Sequence, residues 1–140
     1  MKKYVSKSAE DTAKLGEQLA RTLVPGSVVA LTGDLGAGKT VFAKGVAKGL
    51  GVARAITSPT FTLLNIYDES KFPLYHFDLY RIESVDEAEA AGLGEYLGAR
   101  DAVSLVEWHT NVPQLLPDKY IEVEITKTSD TARILIIKEK

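Results

Sequence analysis

Ser27-Val28-Val29-Ala30-Leu31-Thr32, then Gly33-Asp34-Leu35-Gly36-Ala37-Gly38-Lys39-Thr40, then a periodic stretch running to Leu50 and Gly51, decides the fold. The first six residues are short, β-branched and apolar, which suits a buried strand. From Thr40 onward Phe42, Val46 and Leu50 recur every four residues, and Gly51 stands where a helix would stop. The eight residues between them fit G-x-x-x-x-G-K-[ST], the pattern of a phosphate-binding loop. A strand, a glycine turn and a helix are what that chemistry needs. Successive main-chain N–H groups of the turn and the helix start converge on phosphate oxygens. Gly33, Asp34, Leu35, Gly36, Ala37, Gly38, Lys39 and Thr40 are therefore read as nucleotide-binding. Lys39 neutralises the charge of the outer phosphates, and the Thr40 hydroxyl is a ligand for Mg²⁺. The competing reading is a glycine-rich turn with a solvated lysine, and the flanking strand and helix speak against it.

The 140 residues suffice for one domain, read as 1–140, and 45% apolar with 26% charged residues is ordinary for a soluble globule. No cysteine is present, which excludes disulfides, thiolate metal sites and cysteine nucleophiles and fits a cytoplasmic location. No run of 18 apolar residues marks a membrane span, and the first residues lack the apolar stretch of a signal peptide. The net charge is −2. A domain that grips nucleic acid alone usually carries a strong basic excess, so neither DNA nor a membrane is an expected partner. The charge is uneven: Lys39, Lys44, Lys48 and Arg54 follow the loop, while Glu83, Asp86, Glu87, Glu89 and Glu95 crowd one later segment. That pattern suits a protein-facing surface or, equally, two solvated helix faces.

Ser8-Ala9-Glu10-Asp11 resembles a capping box with Asp in place of Glu, opening a helix with a Leu15, Leu19, Leu23 stripe that ends near Pro25-Gly26. Phe61 to Tyr67 and Leu74 to Tyr80 read as strands of a hairpin. Ser84 and Glu87 form a second capping box before a short acidic helix. Val103-Ser104-Leu105-Val106 is a buried-type strand ending in Glu107-Trp108, and Ile121 to Ile125 and Arg133 to Ile137 are two more strands around a turn. The sum is an α/β fold, a mixed parallel and antiparallel sheet of the P-loop kind flanked by helices. Ligands in such sheets sit at the carboxyl ends of strands, which singles out the Gly33 loop, Asp78 and Glu107.

Hydrolysis needs a second anchor for Mg²⁺ and a group that orients water. Glu107 ends the hydrophobic strand expected before such an anchor, although Asp is usual there. It is assigned to Mg²⁺, directly or through water, and Asp78 to positioning the attacking water or holding a switch loop. Either carboxylate can instead be a strand-end group paired with a neighbour such as Arg81, which itself can pair with Asp78 or reach phosphate. Ser58-Pro59-Thr60 has the character of a switch segment, though such a turn is often only a turn. His76 and His109 lack metal-ligand spacing and are read as structural; Trp108 shields the site or presents a contact surface. Thr126 to Asp130 lacks the guanine-reading N-K-x-D spacing, which favours ATP over GTP.

Four segments, G-D-L-G-A-G-K-T at 33–40, S-P-T-F at 58–61, H-F-D-L-Y-R at 76–81 and V-E-W at 106–108, coincide in order and spacing with one family. The chain resembles TsaE (also called YjeE), the small ATPase of bacterial threonylcarbamoyladenosine synthesis, from about Thr12 to Ile125. The resemblance implies that Lys39 and the loop amides hold ATP, that Thr40 and Glu107 bind Mg²⁺, and that Asp78 is needed for hydrolysis. It also places Thr60 in the switch-like loop, so that catalytic roles fall on Asp78, Lys39 and Thr60. Trp108 then lies beside the site and Thr12 near the base. The implied partners are TsaB and TsaD, with ATP hydrolysis resetting that complex and tRNA met only through it. One departure stands out: after V-E-W many relatives continue with Pro and an acidic-basic pair, whereas this chain has His109-Thr110-Asn111. The alternatives are a small-molecule or nucleoside kinase, and a nucleotide-dependent binding module that never hydrolyses.

Overall fold

A seven-stranded sheet is built outward from β2 (Val28–Thr32), whose first four residues are buried. The computed structural model describes residues 1–34, 36–57, 59, 62–68 and 72–140. β5 (Val103–Glu107) and β6 (Ile121–Lys127) flank β2, both parallel to it. Beyond β5 lie β4 (Leu74–Asp78), parallel, and β3 (Leu64–Tyr67), antiparallel at the edge. Beyond β6 lie β7 (Arg133–Glu139) and β1 (Lys2–Ser6), each antiparallel to its neighbour, giving the order β1-β7-β6-β2-β5-β4-β3. The mixed sheet flanked by helices is the expected fold. The parallel strands are buried on both faces, which is why they read as unbroken apolar runs rather than as alternation.

Side chains two apart share a face. Val29, Leu31, Leu74, Val103 and Leu105 point into one core, under α1 (Ala9–Ala20) and α2 (Lys39–Leu50). Val28, Phe77 and Val106 point into a second core on the other face, closed by Ala88 of α3 (Val85–Ala90), Leu93 and Val112. The same alternation puts His76 and Asp78 of β4, and Glu107 of β5, on the α2 face.

Both serine caps form, with the returning carboxylate bonding the amide one residue before the cap. The Ser8 hydroxyl accepts the Asp11 amide at 3.1 Å, and the Asp11 carboxylate accepts the Lys7 amide at 3.0 Å. Ser84 accepts the Glu87 amide at 3.1 Å, and Glu87 accepts the Glu83 amide at the same distance. α1 stops at Ala20, earlier than the leucine stripe suggests, so Leu23 is buried from the following turn. β4 ends at Asp78, two residues short of expectation: the Leu79 amide closes the ladder on Glu107 O at 3.0 Å, and the chain then turns, the Ile82 amide donating back to Leu79 O at 3.0 Å. β3 begins only at Leu64, since Leu63 takes a left-handed conformation (φ 67°). Strand β1 is absent from the sequence reading: charged Lys2 and Lys3 on an edge strand mask the pattern, as edge strands often do. Among the described residues no helix is long and apolar enough to cross a membrane.

Candidate functional site

The loop from Gly33 to Gly38 joins β2 to α2 at the carboxyl end of the sheet. Gly36 (φ 82°) and Gly38 (φ 103°) take the left-handed conformation that residues with a Cβ resist. At Gly33 the limit is space, since a Cβ would lie 2.6 Å from Ile125 O of β6. The Ala37 amide donates to Asp34 O at 3.0 Å, and the Phe42 amide to Gly38 O at 3.0 Å, which starts the helix. Leu35 lies outside the described residues. Thr40 is exposed on the first turn.

Lys39 is 6% exposed, and its Nζ stands 4.1 Å from the centroid of the Trp108 ring. Burial lowers its pKa from the ordinary lysine value, while Glu107, Asp78 and Asp34 act in the opposite sense. Asp78 and Glu107 are direct partners in the β4–β5 register, each 4% exposed. Two strand-end carboxylates thus stand side by side on the face that carries α2. Asp78 Oδ1 accepts the Tyr80 amide at 2.9 Å. His76 Nε2 donates to Glu107 Oε2 at 2.8 Å, and the ring is 1% exposed. A cavity of about 470 Å³ is lined by Gly36, Gly38, Lys39, Thr40, Asp78, Glu107, Trp108 and Arg133. A second, of about 560 Å³, lies beyond Lys39 and Trp108 along Thr32, Asp34, Thr110, Glu124 and Lys127.

Thr12 is buried; its hydroxyl lies 2.6 Å from Ser6 Oγ, and it lines a smaller hollow with Gly38 and Arg133. Ser58 and Thr60 of the expected switch segment lie outside the described residues, while Pro59 is buried. The structure therefore gathers Gly36, Gly38, Lys39, Thr40, Asp78 and Glu107 at one cavity and sets Thr12 just behind the loop.

Three residues, His76, Asn111 and Arg133, hold parts of the site in ways that the sequence reading did not give them. His76 is structural only in the sense that it holds Glu107. Its position two residues before Asp78 was the signal, since alternation puts both on one face. Asn111 donates through Nδ2 to Leu79 O (2.9 Å) and Tyr80 O (3.1 Å). It ties the loop after β5 to the loop after β4. Trp108 itself is held left-handed (φ 63°), with its ring 4.8 Å from that of Tyr80. Arg133, at the start of β7, reaches Ala37 O at 2.8 Å.

The family model for "Threonylcarbamoyl adenosine biosynthesis protein TsaE" matches residues 6–135. The chain belongs to the TsaE family. It is 42% identical over 131 residues to the Bacillus subtilis (strain 168) tRNA threonylcarbamoyladenosine biosynthesis protein TsaE, covering 94% of this chain and 81% of that protein. The Treponema pallidum (strain Nichols) protein of the same name is 41% identical, covering 95% of this chain and 97% of its own length. A crystal structure of Bacillus subtilis YdiB superposes with a TM-score of 0.81 at 36% identity, covering 96% of this chain and 82% of that one. Membership spans both the loop strand and the later strands that carry Asp78 and Glu107. The carboxylate pair thus lies inside the region shared with the TsaE family.

Proposed function

We propose that this chain binds ATP with Mg²⁺ at the Gly33–Thr40 loop and hydrolyses it, acting as a partner-activated switch in tRNA N6-threonylcarbamoyladenosine formation. The single observation that carries this reading is the placement of two adjacent buried carboxylates, Asp78 and Glu107, across one cavity from Lys39 and Thr40. The donor set suits the groups. Mg²⁺ takes oxygen ligands and is commonly held by one or two protein oxygens together with substrate phosphates, and Thr40 and Glu107 supply such oxygens. Glycine at position 33 lets the loop pack directly on β6, where a Cβ would collide with Ile125 O.

In this reading Lys39 and the loop amides bind the phosphates, and Thr40 and Glu107 hold the metal, which supplies charge neutralisation at the phosphates. His76 fixes the orientation of the Glu107 carboxylate. Asp78 holds the attacking water. Thr60 belongs to the segment that senses the nucleotide, and Thr12 lies toward the base. TsaD and TsaB are the protein partners, tRNA is met only through them, and the chain works in the cytoplasm. A switch ATPase is expected to turn over slowly until a partner completes its catalytic arrangement.

The test is ATP hydrolysis with and without TsaB and TsaD, in the absence of any phosphate acceptor. Lys39→Ala should lose tight ATP binding, and Asp78→Ala should keep ATP but stop turnover. Unchanged ATP affinity of Lys39→Ala by calorimetry would overturn the loop assignment. Loss of binding in Asp78→Ala would show that the two carboxylates have exchanged roles. One observation favours a second reading: the 560 Å³ cavity beyond Lys39 has room for a phosphoryl acceptor. Turnover only with an added alcohol or nucleoside would support that kinase, and phosphate release without one excludes it. ATP affinity with no release even beside the partners would mark a binding module.

A further inference from the structure

Arg133 is separated from the loop by 96 positions, yet its guanidinium is committed to it. Nε donates to Ala37 O at 2.8 Å and Nη2 to Gly36 O at 3.4 Å. Nη1 donates to Ser129 O and Ala132 O, both at 2.9 Å. All four acceptors are main-chain carbonyls, two on the loop and two on the turn between β6 and β7. That turn is itself organised by Ser129, whose hydroxyl accepts the Ala132 amide at 3.0 Å. The guanidinium is thus a fork held by the β6–β7 turn and applied to the loop carbonyls, at the edge of the site cavity that it helps to line. It packs against Gly38, where a Cβ would sit 3.7 Å from Nε.

In a trans peptide the carbonyl and the following N–H point in opposite directions. Holding Ala37 O toward Arg133 therefore turns the Gly38 N–H to the other side. Gly38 is the residue before α2 and is left-handed (φ 103°), so its preceding peptide is the one most able to rotate. A rotated peptide would present a carbonyl where a donor is wanted, and an anion would meet repulsion instead of a hydrogen bond.

We propose that Arg133 is a positioning residue, which locks the Ala37–Gly38 peptide so that the Gly38 amide is aimed at a bound phosphate. This rests on the nucleotide reading above. It makes phosphate affinity depend on the last strand, and on the two-pronged shape of guanidinium rather than on its charge.

The experiment uses the full chain and inorganic pyrophosphate, which has no base or ribose, followed by Mg·ATP. Affinities are measured by calorimetry for the unaltered chain, Arg133→Lys and Arg133→Gln, with the Gly38 amide followed by ¹⁵N NMR and folding by thermal unfolding. Lysine keeps the charge but cannot span two carbonyls. The expected result is a roughly tenfold loss of affinity for pyrophosphate in both variants, the worth of one charge-assisted hydrogen bond. The Gly38 amide signal should cease to respond to pyrophosphate while the unfolding midpoint moves little. Arg133→Lys binding like the unaltered chain would overturn the proposal, because charge alone would then suffice. Loss of the fold in both variants would also overturn it, showing a brace of the hairpin rather than an aim for the amide. Failure of the unaltered chain to bind pyrophosphate or Mg·ATP would remove the nucleotide reading, and this inference with it.

Discussion

Replacing Gly45 by alanine should destabilise the chain, even though alanine is the better helix former. Gly45 lies inside α2, where α1 crosses it, and a Cβ built there would meet Ala13 O at 2.0 Å, Ala13 C at 2.8 Å and Ala13 Cα at 2.9 Å. The shortest of these falls roughly 1.4 Å below the near edge of ordinary contact. The obstacle is main chain of a regular helix, not the end of a flexible side chain, so no rotamer change can relieve it. α1 and α2 must separate, and the gap spreads to Gly16 and Gly49, which make similarly close approaches. Overpacking costs about 1–3 kcal/mol, and a backbone collision belongs at the upper end. The gain in helix propensity is about 1 kcal/mol. The net loss is about 2 kcal/mol, which lowers the unfolding midpoint of a chain this size by about 4–8 °C. Circular dichroism on heating, with a urea midpoint at one temperature, reads it directly. Gly94→Ala is the control, because nothing lies within 4 Å of the added methyl. An unchanged or raised midpoint for Gly45→Ala would refute the helix contact, since a free helix glycine gains stability from this substitution.

Trp108 is the only tryptophan, so its emission reports the ammonium above its ring. Lys39→Met should alter the emission of the free chain, and Mg·ATP should shift the unaltered chain in the same direction as phosphates draw Lys39 away. Identical spectra in the three states would show that Lys39 does not rest there. His109 titrates below its ordinary 6.5 because burial outweighs the attraction of Glu122, 3.3 Å away. Between its folded pKa and 6.5 the unfolded chain binds the extra proton, so stability is full above 6.5 and is lost as pH falls through the folded value. His109→Gln should flatten that part of the urea-midpoint profile. A slope unchanged by the substitution would mean that His109 is not the group responsible.

The strand–loop–helix segment was legible because everything that makes it is local: β-branched apolar residues, glycines free to turn left-handed, and a four-residue apolar repeat. The same holds for the two serine caps, which formed at the expected residues with their partners three positions on. Boundaries were less legible where a distant group competed for the backbone. β4 stops at Asp78, and just beyond it Asn111 takes Leu79 O and Tyr80 O from the loop after β5; no neighbour in sequence records that. Edge strand β1 was hidden because its lysines answer to solvent, not to a core.

By itself the sequence determined the strand–loop–helix unit, the apolar strands and the acidic residues that end two of them. Only the tertiary structure decided that Asp78 faces Glu107, that His76 holds the latter, that Arg133 grips the loop from the far end of the chain, and that glycines let α1 and α2 touch. The physical reason is range. Propensity, capping and side-chain period act over a few residues and leave their mark in order. Strand register and helix contact are set by how the whole chain packs, and they join residues whose separation along the sequence carries no trace of their meeting.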